Sequence, residues 1–307
     1  MTHANHKDKI EDISIQPELT LTRILTQPST FALIRTMVAT KVYEAWTDLL
    51  IQTGAMSQPP PFDIAALDPT PSDATQRALE LAQQLVEPSI VNHMIRTYYF
   101  AMAINAWKGK IKIKSHLIDD NEKSDEEEEF DREAFWVACV LHDIGVSDEL
   151  TPTIAEGEPV SEEITPETNF EVRGGTRAHA FVTQDLTPPF SQKRAWLVHE
   201  AIALHTSIVE HGDSKGTLGL QWAAMLFDGA ATDLTAMKLG KLAPGTVATV
   251  LQKHPKLDFH TLFPEKLRKE CAARPCCLIT QTAKIGLFEI MEKSGATFVK
   301  YESSSSS

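Results

Sequence analysis

The stretch AFWVACVLHDIG, residues 134–145, decides how this chain is read. Eight apolar residues run without interruption into His142 and Asp143, and Gly145 follows. A run of that kind predicts a buried helix over 132–143. Placing an imidazole and a carboxylate at its end is costly unless both are satisfied. A divalent cation satisfies both at once, since neutral imidazole and ionised carboxylate are common ligands of zinc and iron. Asp143 needs such an offset more than His142 does, because the helix dipole favours a cation and disfavours an acid at a C-terminus.

Working outward, apolar residues recur at helical spacing and no alternating strand of useful length can be found. Residues 30–56 carry helical spacing, and MSQPPPF and LDPTPSD form a Pro-rich linker. Ser72 or Asp73 caps a helix that stops near Glu87-Pro88. The next helix, from Ser89 through IVNHMIRTYYFAMAINAWK, is apolar on nearly all sides and so predicted to be deeply packed. Residues 115–131, with the run DEEEE, read as a solvated acidic loop. A Pro- and Glu-rich loop spans 147–168. NFEVRGGTRAHAFVTQD reads as helix-loop-helix, broken at Gly174-Gly175. Helices follow over 190–206 and 216–234, then shorter ones beyond 242. The expected fold class is all-α, an arrangement of one leader and helical extension (1–60), one main helical domain (61–300) and a disordered tail (301–307).

Bulk properties narrow the function. The 307 residues carry a formal net charge of −13. Such a chain repels phosphate backbones and anionic bilayers, which argues against nucleic acid or membrane as partner. No apolar run approaches the ~20 residues that cross a bilayer, and the polar start MTHANHKDKIEDIS is no signal peptide. Cys139, Cys271, Cys276 and Cys277 make no regular disulfide framework, which points to a reducing, cytoplasmic setting. A small molecule is the expected partner, and a homo-oligomer is compatible with the sequence.

His93, His142, Asp143 and Asp228 lie on separate segments, so only tertiary packing can bring them together, as in metal sites built in a bundle core. Two imidazoles and two carboxylates suit Zn²⁺ and also accept Fe²⁺ or Mn²⁺. Singly each has an ordinary reading: a hydrogen-bonded core histidine, or an acid capping backbone amides. Together they weigh more.

The order His…His-Asp…Asp resembles the HD-domain superfamily of metal-dependent hydrolases. The strings PSIVNHMIRTYYFAMAI, VACVLHDIG, FEVRGG, HEAIALHTS and LGLQWAAMLFDGAATD are similar to the fungal cyanamide hydratase branch, over roughly residues 70–265. Met94 departs from a serine frequent in that branch. The resemblance implies an HD-type metal-binding domain over 61–300, with one zinc held by His93, His142, Asp143 and Asp228. It also implies a hydro-lyase that adds water across C≡N, converting cyanamide to urea through a zinc-activated water.

A zinc ion can lower the pKa of its water towards about 7, and the nitrile nitrogen must be protonated as water adds. His205 in IALHT is the first candidate for that proton transfer. Glu171 is the second, orienting a ligand or holding water, and Thr206 is a hydrogen-bond donor. Rival readings are an HD-type phosphohydrolase using Arg96 and Arg173 for phosphate, a di-iron oxygenase recruiting His179 and His205, and a non-catalytic protein with a structural metal.

Overall fold

The computed structural model describes residues 59–107, 130–151, 169–207, 217–275, 277–284 and 286–303. The expected helix at 30–56, the leader, most of the acidic loop and most of the 147–168 loop lie outside the described residues. Among the described residues the chain is all-α, with no strand. The helices are α1 (Ile64–Leu67), α2 (Asp73–Leu85), α3 (Pro88–Trp107), α4 (Arg132–Leu141), α5 (Phe170–Ala180), α6 (Gln192–Leu204), α7 (Leu218–Thr235), α8 (Pro244–Lys253), α9 (Phe259–Ala273), α10 (Leu278–Lys284) and α11 (Leu287–Ser303). None is long and apolar enough to cross a membrane.

Local chemistry accounts for the element starts. Ser72 closes a reciprocal capping box with Thr75 at the head of α2. Pro88 occupies the first position of α3, where its missing N–H is no loss. Asp131 caps α4 by accepting from the Ala134 amide, and Asn169 and Thr217 do the same for α5 and α7. α11 starts after Gly286, whose φ of +96° no L-residue adopts easily. It runs to Ser303, so the first residues of the expected tail are helical.

α3 and α4 are the apolar centre. From Ala134 to Leu141 every α4 residue is buried, and Ile90, Met94, Tyr98, Phe100 and Met102 of α3 are too. α3 packs most extensively on α7. The two run antiparallel, with Gly229 against Thr97 and Asp233 against His93. A Cβ on Gly229 would stand 2.1 Å from the Thr97 carbonyl oxygen, so the helices cross at backbone contact.

One expectation is corrected. Gly174-Gly175 does not break the 169–185 segment, because α5 runs straight through both. Their missing side chains serve close packing instead: Gly174 lies on the Gly145 amide and the His142 carbonyl, and Gly175 on the His199 carbonyl. The expected helix over 216–234 is α7, which passes through Gly229. It continues to Thr235 and leaves Asp228 in its body, with the left-handed Ala236 as its cap.

Candidate metal centre

α4 ends at Leu141, His142 is its C-cap, and Asp143 leads into the 3-10 turn Ile144–Val146. That turn is pinned from outside. A Cβ on Gly145 would sit 1.9 Å from the Phe170 carbonyl oxygen, so only glycine lets α5 approach the His-Asp pair so closely. His93 reaches the same place from the second turn of α3, and His205 from the C-cap of α6.

His93, His142 and Asp143 converge. All three are buried, and their ligand atoms lie within 4.8 Å of one another. His93 Nε2 is 3.3 Å and His142 Nε2 3.1 Å from the same Asp143 oxygen, and His205 Nε2 is 3.9 Å from the other. The first two nitrogens are close to the carboxylate without the alignment of a hydrogen bond, and both are buried with no such partner.

The opposite ring nitrogens explain why. His142 Nδ1 lies 2.7 Å from the Cys139 carbonyl and His205 Nδ1 2.7 Å from the Ile202 carbonyl. A carbonyl only accepts, so each Nδ1 carries a proton, and in the neutral form of each ring the lone pair lies at Nε2. His93 Nδ1 meets Asp233 Oδ2 at 2.7 Å, another acceptor. With the rings neutral, three imidazole lone pairs face one buried carboxylate. Electron-rich groups so arranged repel one another unless a cation lies between them. The carboxylate–histidine pairing behind His93 is the usual outer support of a ligating imidazole. Ring centroids are 5.2 Å apart for His93–His142 and 5.1 Å for His142–His205. Two imidazoles on one tetrahedral zinc, with Zn–N bonds of about 2.0–2.1 Å, stand ~5 Å apart. The donor set therefore fits a divalent cation.

Burial works against the Asp143 charge, and positive charge on the neighbouring His142 and His93 rings, present in the absence of an ion, more than offsets it and holds the carboxyl well below its usual range. Burial, helped by His142, pushes the His205 imidazole down to about 4. Glu171, in the first turn of α5, is pushed up to about 7, chiefly by burial, with the charges of Glu270 and Asp143 adding to it. Thr206 opposes that shift by donating to Glu171 Oε1 at 2.7 Å.

Of the four expected ligands the structure brings three together. Asp228 stands outside the cluster, and its carboxylate takes the Lys238 ammonium. The left-handed backbone at Ala236 and Lys238 folds the chain back over the end of α7 and delivers that lysine. The residue that sequence reading missed is Asp233, one turn further on in FDGAATD. The only signal was Arg96, a cation in an apolar helix that called for an inner carboxylate. Arg173 bonds Glu270 and the Gly145 carbonyl. His179 is not in the cluster and packs on Trp196. A surface cavity of about 570 Å³ is lined by α8, α9 and α11 residues including Leu251, His260 and Val299, and none of the clustered residues lines it.

No protein-family model matches the chain, and no curated protein matches it.

Proposed function

We propose that His93, His142 and Asp143 hold a divalent cation, zinc in the first instance, with His205 beside it. On this reading the protein is a hydro-lyase adding water to the C≡N group of a small molecule, with cyanamide to urea as the leading reaction. The observation that carries the metal assignment is the set of three imidazoles anchored at Nδ1 with their Nε2 atoms turned to one buried carboxylate. The choice of reaction leans on the sequence resemblance. A bound ion would supply Lewis acidity, making water more acidic and a nitrile more electrophilic.

The chain's own residues divide the remaining work. His205, neutral and with Nε2 available, accepts the proton that water gives up as it adds. Glu171, a buried carboxyl that keeps its proton near neutral pH, returns one to the nitrile nitrogen. Thr206 orients Glu171 by its hydrogen bond and does not itself meet the substrate. The apolar walls of α3 and α4 limit competing water.

The phosphohydrolase reading is less well supported. Arg96 and Arg173, the two cations it relied on, are both engaged with buried carboxylates, Asp233 and Glu270. The three described cysteines are free, in keeping with a cytoplasmic enzyme.

The test is urea release from cyanamide with metal quantified in the same sample. We expect about one zinc per chain, turnover abolished by chelator and restored by zinc, and loss of both metal and turnover in His142→Ala. His205→Ala keeps the metal and loses rate by about 10²–10⁴-fold, the usual worth of a proton-transfer group. A zinc-loaded protein that makes no urea but releases phosphate from nucleotides overturns the hydratase assignment. A zinc-loaded protein inert in both assays favours a structural metal.

A further inference from the structure

Asp233 is a fully buried carboxylate at the end of α7, and every lone pair it has is used. Oδ1 accepts from Arg96 Nε at 2.8 Å and Lys256 Nζ at 2.9 Å, and Oδ2 accepts from Arg96 Nη2 at 2.8 Å and His93 Nδ1 at 2.7 Å. Two acceptor sites on each oxygen are thereby filled. The bidentate Arg96 fork fixes the plane of the carboxylate. The Lys256 ammonium also holds the Asp233 backbone carbonyl at 2.8 Å. The clamp is itself anchored, since Arg96 Nη1 donates to the His254 and Pro255 carbonyls, each at 3.0 Å. Residues 254–256, which join α8 to α9, therefore supply both the carbonyls that seat Arg96 and the ammonium that seats Asp233. On its free face the His93 ring stacks on Phe259, with centroids 4.5 Å apart and planes 20° apart.

An ion pair serving packing alone needs only Arg96, Lys256 and Asp233. The fourth bond, to His93, has a further effect: it specifies which nitrogen holds the proton and where the other points. We propose that Asp233 is a positioning residue for the metal centre, locking His93 as the Nδ1-protonated tautomer with its Nε2 lone pair on the cluster, while Arg96 and Lys256 hold that carboxylate in place. The inference rests on the metal reading above and deepens it. It assigns the connector between α8 and α9, which contributes no ligand, to the ligand geometry.

Two measurements test it. In the metal-free wild-type chain, long-range ¹H–¹⁵N spectra of the histidines are expected to show the His93 proton on Nδ1 and a bare Nε2, and a proton on Nε2 overturns the proposal. Asp233→Asn is then expected to bind zinc about 10–100-fold more weakly in chelator competition, the usual cost of losing such outer support. Its cobalt(II)-substituted form should show an altered visible absorption spectrum. Lys256→Met, which leaves Asp233 on His93, should lose less. A folded Asp233→Asn protein with wild-type zinc affinity and an unchanged cobalt spectrum overturns the inference while leaving the metal centre standing. A wild-type chain that takes up neither zinc nor cobalt overturns the metal reading itself. The tautomer is read without any substitution, so the question is decided even if Asp233→Asn does not fold.

Discussion

At the scale of single residues, a half-buried histidine and a buried glutamate give stability opposite dependences on pH. His254 has a buried Nε2 with no hydrogen-bond partner and a ring stacked on Tyr99. Burial first, then Lys253 and Arg96, push its imidazole from 6.5 down to about 4. The unfolded chain then binds more protons, so the His254 contribution is present above pH 6.5 and is lost as pH falls towards 4. Glu171 runs the other way. Raised from 4.5 to about 7, it contributes fully below pH 4.5 and loses that contribution as pH climbs through 7. Urea titrations of the metal-free protein should show His254→Gln flattening the acid loss and Glu171→Gln flattening the loss towards neutrality; unchanged slopes would count against both assignments. His142 and Asp143 were legible in the sequence because a polar pair closing an apolar run is a local signal, and His93 stood out only as a histidine within an apolar helix, gaining weight beside them. Asp233 was not, because its meaning depends on the antiparallel register of α3 and α7, which no local pattern carries.

At the scale of elements, the site depends on how closely α5 can lie against the turn after α4. Gly145 is the contact, and the atoms a Cβ would meet are backbone atoms of Phe170 and Gly174 that no rotamer change can move. Gly145→Ala is expected to cost ~3 kcal/mol or more, at or beyond the upper end of ordinary overpacking. It should also weaken zinc binding, because the strain falls on the residues that carry His142 and Asp143. Denaturant unfolding with parallel metal titration checks this, and a fully stable, fully loaded variant would show that the turn has slack. The same glycines show where sequence reading of elements fails. Gly174-Gly175 has the composition of a break, yet neighbouring backbones supply the reason for glycine, and propensity yields to packing. Helix starts were better forecast: Ser72 acts as a cap through groups within four residues of itself, and the expected starts at 89 and 132 fall within one residue of those of α3 and α4.

At the scale of the whole molecule, the all-α class follows from apolar spacing repeated along the chain, while the meeting point of the helices does not. Long intervals separate His93, His142 and His205, and their convergence is a property of the packed bundle alone. The clustered side chains and their supports sit near helix ends: the second turn of α3, the first turn of α5, the residues closing α4 and α6, and the last turn of α7. Helix ends fray first, and local opening there costs far less than global unfolding. An ion gripped by side chains from several such ends would act as a cross-tie, converting independent fraying into one shared event. Amide exchange at residues 142–145, 171–175 and 203–205 should therefore slow together on adding zinc, while the middle of α3 changes little. Metal loading would then be legible as mechanical coherence across the bundle, even in a sample with no substrate to turn over.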